Sequence, residues 1–401
     1  MKPTFAETLR CPACLKEHGL RLHTMRVDER EVREGVLDCT ACGATFPIHR
    51  GVPELLTQPP EHVLAEAAGL ARFAEVMRDA GWDRDHIRRL PFVEDGYWYP
   101  QARSIHQLLT TIPFRAGDTI LDVGSNTCWA ASHFARRGLR AIALDIATAE
   151  LQGLYTADYF IEDGSVFFER ILGSMHEIPL ASSSVDYVFC SQVMHHNDGG
   201  SLRRAFAEIF RVLRPGGRLL MVNETLKTVR DRRGVDTQTV LHTHKAEEFD
   251  GYEHAHWAWQ YRWAATRAGF YTEVAEPHYR PFFGDAEIGH PPGASWLSVR
   301  LREAAFGLHR FALARRGYLV WLNDVWGGVS MNMIAMKPSR YVVRHERLPA
   351  AVRIPLMVAA GSRLRWERHR GQDVPPRLSR TPEQAHARMR GAAEPAGDNP
   401  D

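Results

Sequence analysis

No apolar run in this chain approaches the roughly 18 residues that a membrane-spanning helix needs. Residues 1–10 lack the apolar stretch of a secretory leader. Neither membrane spanning nor secretion is expected, and the expected location is cytoplasmic. Charge of one sign is not in excess either: 50 Lys and Arg stand against 48 Asp and Glu, for a formal net charge of +2. Such a balance singles out neither a nucleic acid nor an anionic lipid surface as partner of the whole chain. Cysteine is scarce, with 6 in 401 residues, which argues against a disulfide-built scaffold and fits a reducing compartment. The length accommodates two or three domains with a full core.

Four of the cysteines stand in two close pairs, Cys11-Pro-Ala-Cys14 and Cys39-Thr-Ala-Cys42. Each C-x-x-C brings two thiolates to one side of a tight turn, so two such pairs can enclose one tetrahedral Zn²⁺; the alternative is two unrelated redox or core pairs. Four thiolates leave no water position, which makes the expected metal structural rather than catalytic. Gly43 follows the second pair, where a knuckle turn calls for a positive φ. Residues 1–57 therefore read as a small β-rich zinc ribbon that buries too little apolar surface to fold without its metal. Gln58-Pro59-Pro60 marks a hinge. Leu64, Ala67, Leu70, Phe73 and Met77 then recur at helical spacing, predicting one or two helices over 61–89 within a helical linker, 58–96.

From 97 to 337 short apolar runs alternate with helical stretches. Strands are predicted at 119–123, 141–145, 185–190 and 218–222, with helices at 129–137 and 202–213. Apolar runs without clean alternation, separated by helices, predict a parallel sheet covered on both faces, hence a doubly wound α/β domain. Pro215-Gly216-Gly217 stops the second of those helices and sets a tight turn. Beyond 225 a polar loop (227–250), a helix (256–267), a strand (270–275) and a long insertion precede a last strand at 329–336. A substrate lid or insertion is therefore placed at about 226–324. Residues 338–401 are arginine-rich, and from about 375 their composition is that of a disordered tail. The run from Arg363 to Arg370 is either a solvated helix face or a basic surface for anionic lipid or RNA.

The first of these strands turns into a helix through Leu121-Asp122-Val123-Gly124-Ser125-Asn126-Thr127-Cys128, and Asp145 ends the next strand. Such a turn exposes backbone N–H groups and a helix N-terminus to a ligand, while the second carboxylate can accept from two ribose hydroxyls. Further along come Gly173-Ser174-Met175-His176, then Ser191-Gln192-Val193-Met194-His195-His196, then the stretch from Glu208 to Gly217. In this order the segments resemble the class I S-adenosylmethionine-dependent methyltransferases of the small-molecule type, strongly over about 97–225 and weakly over 226–337. Residues 11–56 resemble the Trm112-like zinc ribbon. The resemblance implies a Rossmann-like methyltransferase sheet and S-adenosylmethionine as cofactor. It also implies that Asp122, Gly124 and Asn126 line the methionine end, and that Asp145 and Ile146 hold ribose and adenine. Ser174 and Met175 would flank the adenine, with Ser191 beneath the cofactor. Two departures stand out. Asn126 and Cys128 replace the second and third glycine of the turn, and Ser174 replaces an acidic residue that often contacts the adenine amino group.

Methyl transfer from a sulfonium is an in-line displacement, and a base is needed only if the acceptor loses a proton. A phenolic or sugar hydroxyl calls for one; a preformed carboxylate does not. His195 and His196 follow the fourth strand, and either imidazole could act as that base or simply pack and cap; His196 is the slightly preferred catalytic candidate. His242, His244, His254 and His256 lie beside Trp257, Trp259 and Trp263, a cluster read as core or lid ahead of substrate contact or metal. The expected function is methyl transfer to a small molecule. Its rivals are an RNA methyltransferase using the ribbon arginines (Arg10, Arg21, Arg26, Arg30, Arg33) and a non-catalytic binding or scaffold protein on the same fold. No sequence feature specifies an oligomeric state.

Overall fold

The computed structural model describes residues 1–93, 98–162, 164, 166–226, 254, 256–277, 296, 297, 300 and 330–338. Most of the lid expected over 226–324, and the arginine-rich stretch from 339 on, lie outside the described residues. No described helix is long and apolar enough to cross a membrane.

The N-terminal part is a four-stranded antiparallel sheet of β1 (Leu20–Val27), β2 (Val32–Cys39), β3 (Thr45–His49) and β4 (Val52–Pro53), in that order. Two knuckles carry the cysteines. In the second, Gly43 takes φ 73° and its N–H donates to the Cys39 carbonyl at 2.9 Å. In the first, Leu15 fills the matching place after Cys14 with φ 63°, and its N–H donates to the Cys11 carbonyl at 2.9 Å. A left-handed residue closes each turn around the thiols, and only the second knuckle uses the residue type that adopts this conformation freely.

Helices α1 (Glu61–Asp79) and α2 (Arg84–Arg89) follow, so the helical periodicity of 61–89 resolves into two. Then come α3 (Tyr99–Thr111), β5 (Thr119–Val123), α4 (Trp129–Arg136), β6 (Arg140–Asp145), α5 (Asp158–Ile161), β7 (Glu169–Leu172) and β8 (Val185–Ser191). The chain continues through α6 (Gly199–Val212), β9 (Leu213–Thr225), α7 (Ala258–Ala268), β10 (Tyr271–Pro277) and β11 (Ser330–Met336). Strands β5 to β11 form one seven-stranded sheet in the order β10-β11-β9-β8-β5-β6-β7, with β11 antiparallel to both neighbours. Every residue of β5 is buried, as a central parallel strand covered on both faces requires. Asp198 caps α6, accepting from the N–H groups of Gly200 at 2.8 Å and Ser201 at 2.7 Å. The Pro215-Gly216-Gly217 turn lies inside β9 as an irregularity, where the register against β8 shifts between Val185 and Tyr187.

One face of the sheet packs on α1 to α4 through Met77, Ile87, Leu108 and Phe134. The other packs on α6 and α7, and into the same core run the ribbon residues Phe5, Leu9, Leu37, Phe46, Ile48 and Leu55. The ribbon also lengthens the sheet at its β7 edge. Glu54 bridges Leu172 in parallel, the Leu55 N–H donates to the Leu172 carbonyl at 2.8 Å, and Leu9 bridges Leu180.

Behind that seam lies a buried ionic cluster. Glu31 of the ribbon is paired with the Met1 amino group and with Arg170 of β7. Asp158 pairs with Arg33 at 3.0 Å, with Arg50 at 2.9 Å and with Arg170 at 3.4 Å. Burial opposes ionisation of Glu31, but the charges of Arg170 and the Met1 amino group override it and hold the carboxyl down at about 2. Replacing Arg170 by Met would leave two buried carboxylates short of a cation, so Arg170→Met should lower stability by about 3–5 kcal/mol in urea unfolding. A loss below about 1 kcal/mol, the level of an exposed pair, would mean that the cluster does not hold the seam.

Candidate active site

A cavity of about 660 Å³ opens at the carboxyl ends of the parallel strands, where ligands of open α/β sheets bind. The residues expected to hold the cofactor (Asp122, Gly124, Asn126, Asp145, Ile146, Ser174, Met175 and Ser191) all line it, and so does His196. They come from the ends of β5, β6 and β8 and from the turns that follow the parallel strands. α1 closes the opposite wall with Glu66, Leu70 and Phe73.

The turn after β5 alternates left-handed residues: Gly124 at φ 67°, Asn126 at 44° and Cys128 at 55°. The two non-glycine replacements therefore stand in left-handed geometry themselves. A side chain at Gly124 would collide, because a Cβ there would lie 2.1 Å from Val193 Cγ2. Asp145 braces the turn from the neighbouring strand: Oδ2 accepts from the Asn126 N–H at 2.8 Å and Oδ1 from the Ala147 N–H at 3.0 Å. The Asn126 side chain donates to Gln152 Oε1 at 2.8 Å. Asp122 Oδ2 accepts from Ser125 Oγ at 2.7 Å and from the Ala131 N–H at 3.2 Å, which ties the strand end to the first turn of α4. Ser174 Oγ accepts from the His176 N–H at 3.1 Å, and Ser191 Oγ accepts from Asn223 Nδ2 at 3.3 Å.

Burial pushes the Asp122 carboxyl up to about 7 and the Asp145 carboxyl up to about 6. Three buried polar atoms of cavity-lining residues, Gln101 Oε1, Asn126 Oδ1 and Thr127 Oγ1, have no partner among the described residues. Unsatisfied acceptor oxygens suit a ligand that brings hydrogen-bond donors, and a cationic one would offset the burial that opposes ionisation of the two carboxyls. The donor set thus fits a cofactor bearing an ammonium, a sulfonium and ribose hydroxyls.

At another part of the wall stand the two histidines, their ring centroids 4.4 Å apart. His195 is buried, and its Nδ1 lies 2.7 Å from Glu224 Oε1. His196 Nδ1 lies 3.0 Å from Glu66 Oε1 of α1, at ion-pair distance. Of the second histidine cluster, His242 and His244 lie outside the described residues. His256 is buried with Nε2 2.7 Å from the Asn197 carbonyl, and the His254 N–H donates to the His195 carbonyl at 2.6 Å. Trp259 and Trp263 are each 48% exposed on α7, so they are surface rather than core residues.

The four cysteines meet on the ribbon with all their sulfurs within 4.8 Å of one another; Cys11 and Cys42 are 3.8 Å apart and Cys14 and Cys39 are 3.6 Å apart. Tetrahedral coordination with Zn–S near 2.3 Å requires sulfurs about 3.8 Å apart, so the cluster has the geometry of a closed metal site. Several residues of the site belong to no sequence motif: Glu66, Gln101 and Gln152, together with Glu224 behind His195. For Glu224 a usable signal exists, since a carboxylate at the carboxyl end of a strand in a doubly wound sheet points at the ligand crevice.

Comparison with known proteins agrees with this geometry. Residues 121–221 match the family described as methyltransferase domain, and residues 2–51 match the Trm112p-like proteins. The chain is 35% identical over 180 residues to the biotin biosynthesis bifunctional protein BioHC of Cellvibrio japonicus, covering 44% of this chain and 32% of that protein. It is 27% identical over 221 residues to the malonyl-[acyl-carrier protein] O-methyltransferase of Yersinia pestis, covering 55% of this chain and 77% of that one. The chain therefore spans about a third of the length of the first relative and about three quarters of the second. Among solved structures, a chain from the complex of the Haloferax volcanii Trm112 methyltransferase activator aligns with a TM-score of 0.41 at 19% identity, covering 67% of this chain and 97% of that one. The matched segments give this chain a methyltransferase domain over residues 121–221 and a Trm112p-like domain over residues 2–51.

The two raised carboxyls give a pH signature. A carboxyl whose folded-state pKa is raised adds stability that is fully present below its ordinary value and is lost as pH rises to the folded value. For Asp122 that loss begins near the ordinary carboxyl value of about 4 and is complete once pH has passed about 7. Asp122→Asn keeps an acceptor for Ser125 and Ala131 but cannot ionise. Between about pH 4 and about pH 8 its unfolding free energy should fall less than that of the unaltered protein, by about 1 kcal/mol or more. Parallel curves in thermal or urea unfolding would contradict the placement of this carboxyl.

Proposed function

We propose that the protein transfers the methyl group of S-adenosylmethionine to a small-molecule acceptor. The observation that carries this reading is the convergence of the Asp122–Asn126 turn, Asp145, the Ser174–Met175 segment and Ser191 on one cavity. In this reading Asp122, Gly124 and Asn126 hold the methionine end, and Asp145 and Ile146 take the ribose and adenine. Ser174 and Met175 flank the adenine, and Ser191 lies beneath the cofactor. When bound, the cofactor supplies an electrophilic methyl on a sulfonium. The protein's part is to align the acceptor with that methyl and keep water out, which can contribute on the order of 7–11 kcal/mol.

Residues 1–57 act in this reading as a ribbon built on one structural Zn²⁺ held by Cys11, Cys14, Cys39 and Cys42. Residues 58–96 link it to a catalytic domain at 97–337. Of the ribbon arginines that an RNA reading would use, Arg10 pairs with Glu208 at 3.4 Å, Arg26 with Glu34 at 3.0 Å and Arg33 with Asp158 at 3.0 Å. Arg30 donates to the Ile161 carbonyl. Engagement of four of these five arginines within the chain supports a small-molecule acceptor over RNA.

Calorimetric titration with S-adenosylmethionine tests the reading directly. Binding is expected, and Asp145→Ala should weaken it by about 1.5–3 kcal/mol through the lost charged hydrogen bonds. Unchanged affinity in the variant would show that the ribose lies elsewhere. For the metal, elemental analysis should find one zinc per chain, and Cys39→Ser should lose it and leave the ribbon open to protease. Full metal content in that variant would refute the four-thiolate site.

A further inference from the structure

The two histidines of the cavity differ in the carboxylate behind each. Glu224 is completely buried at the end of β9 and is surrounded by hydrogen-bond donors. Its Oε2 accepts from the N–H groups of Val193 at 3.3 Å and Met194 at 2.9 Å. Its Oε1 accepts from the N–H groups of His195 at 3.1 Å and Thr225 at 3.1 Å, and faces His195 Nδ1 at 2.7 Å. A buried carboxylate ringed by donors is held ionised. Burial opposes that charge, yet His195 and the backbone amides override it and keep Glu224 below the usual carboxylate range. An ionised Glu224 can only accept, so whenever the His195 imidazole is neutral its proton sits on Nδ1. Its Nε2 then holds a lone pair, makes no hydrogen bond to any described residue, and belongs to a ring that lines the cavity. His196 meets a different carboxylate, Glu66, which reaches it from α1 rather than from the sheet.

Resting on the methyltransferase reading above, we infer that His195 is the general base of the reaction, with Glu224 as its positioning residue, and that the acceptor is a phenol-like hydroxyl compound. A base oriented this firmly is superfluous for an acceptor that arrives as a carboxylate. The acceptor's ring is indicated by the rest of the wall, where Leu70, Phe73, Trp82 and Trp98 present an apolar, aromatic surface. The indoles of Trp82 and Trp98 pack on each other, with centroids 6.3 Å apart at 45°, and together widen this aromatic surface. In the step itself, the hydroxyl oxygen forms a bond to the methyl carbon while the carbon–sulfur bond breaks and its electron pair stays on sulfur. The hydroxyl proton passes to His195 Nε2. One sulfonium charge is thereby exchanged for one imidazolium charge, and Glu224 lies against it.

The charged and titratable groups facing His195 are Glu224 from β9, Glu66 from α1, and His196, His254 and His256. Cys190 of β8 and Tyr261 of α7 face Glu224 in turn. The test uses the full chain with S-adenosylmethionine and two sets of acceptors read by mass spectrometry. One set holds simple phenols such as 4-ethylphenol and 4-nitrophenol; the other holds 4-ethylbenzoate and malonyl-[acyl-carrier protein]. Methylation of phenols is expected. His195→Gln should lower kcat by about 100- to 10,000-fold while calorimetric binding of S-adenosylmethionine persists. Glu224→Gln should lower kcat more than it changes KM, move the acid limb of the pH–rate profile, and shift the His195 signals in ¹⁵N-histidine spectra towards the other tautomer. Methylation confined to the carboxylates, or a His195→Gln variant as active as the unaltered protein, would overturn the inference. Binding of S-adenosylmethionine without methylation of any phenol would overturn it alone. Absence of binding would overturn the methyltransferase reading and this inference with it.

Discussion

The ion pair of Arg170 with Glu31 joins two parts of the chain and completes the neutralisation that Asp158 begins for Arg170 and Met1 for Glu31. Both groups are shielded from water, and a buried charge without a partner is far less stable than the same charge in solvent. Strand β7 is therefore held in the sheet more firmly when the ribbon brings Glu31 to Arg170, and the ribbon buries Glu31 at less cost when β7 adds the guanidinium to Met1 and Arg33. From β7 the chain runs directly into Gly173, Ser174 and Met175, one wall of the cavity. The cysteine-bearing ribbon and the crevice are thus two consequences of one edge strand.

Within the crevice, environment divides the carboxyls by task. Asp122 and Asp145 are buried with few donors each, and both resist ionisation. Glu224 is as deeply buried, yet backbone N–H groups on both of its oxygens and an adjacent imidazole hold it charged. Titratable groups pushed in opposite directions in a cavity wall and directly behind it often mark divided chemical roles. Here the carboxyls that ionise reluctantly lie with the turn after β5, and the one that stays charged lies behind His195.

Much of this is legible in the residues. The apolar run at 119–123 is a strand over the same residues, and the strands predicted at 141–145 and 185–190 differ from the observed ones by one residue at an end. Their legibility follows from burial on both faces, which leaves an unbroken apolar signature. Strand β7 leaves no such mark, because Glu169 and Arg170 interrupt the apolar run; the Arg170 charge is tolerated through partners that local sequence cannot supply. Helix α3 is hidden for a related reason: Ser104, buried between apolar turns, is satisfied by Asn223, a residue far along the chain. Cavity-lining residues are readable where a turn's chemistry demands them, as at Gly124 and Asp145. Glu66, Gln101 and Gln152 are not, since each owes its place to the packing of one element on another.

The seam between ribbon and sheet is made within a single polypeptide, and this sets how it responds to its surroundings. Two separate chains meeting through Glu54, Leu172 and the Glu31–Arg170 pair would assemble in proportion to their concentrations. Joined through the short stretch around Pro59 and Pro60, they meet at a fixed effective concentration that dilution cannot lower. Holding the edge strand in place is then insensitive to how much protein a cell makes. What can release it is a cut in that connection, or loss of the ribbon's own fold.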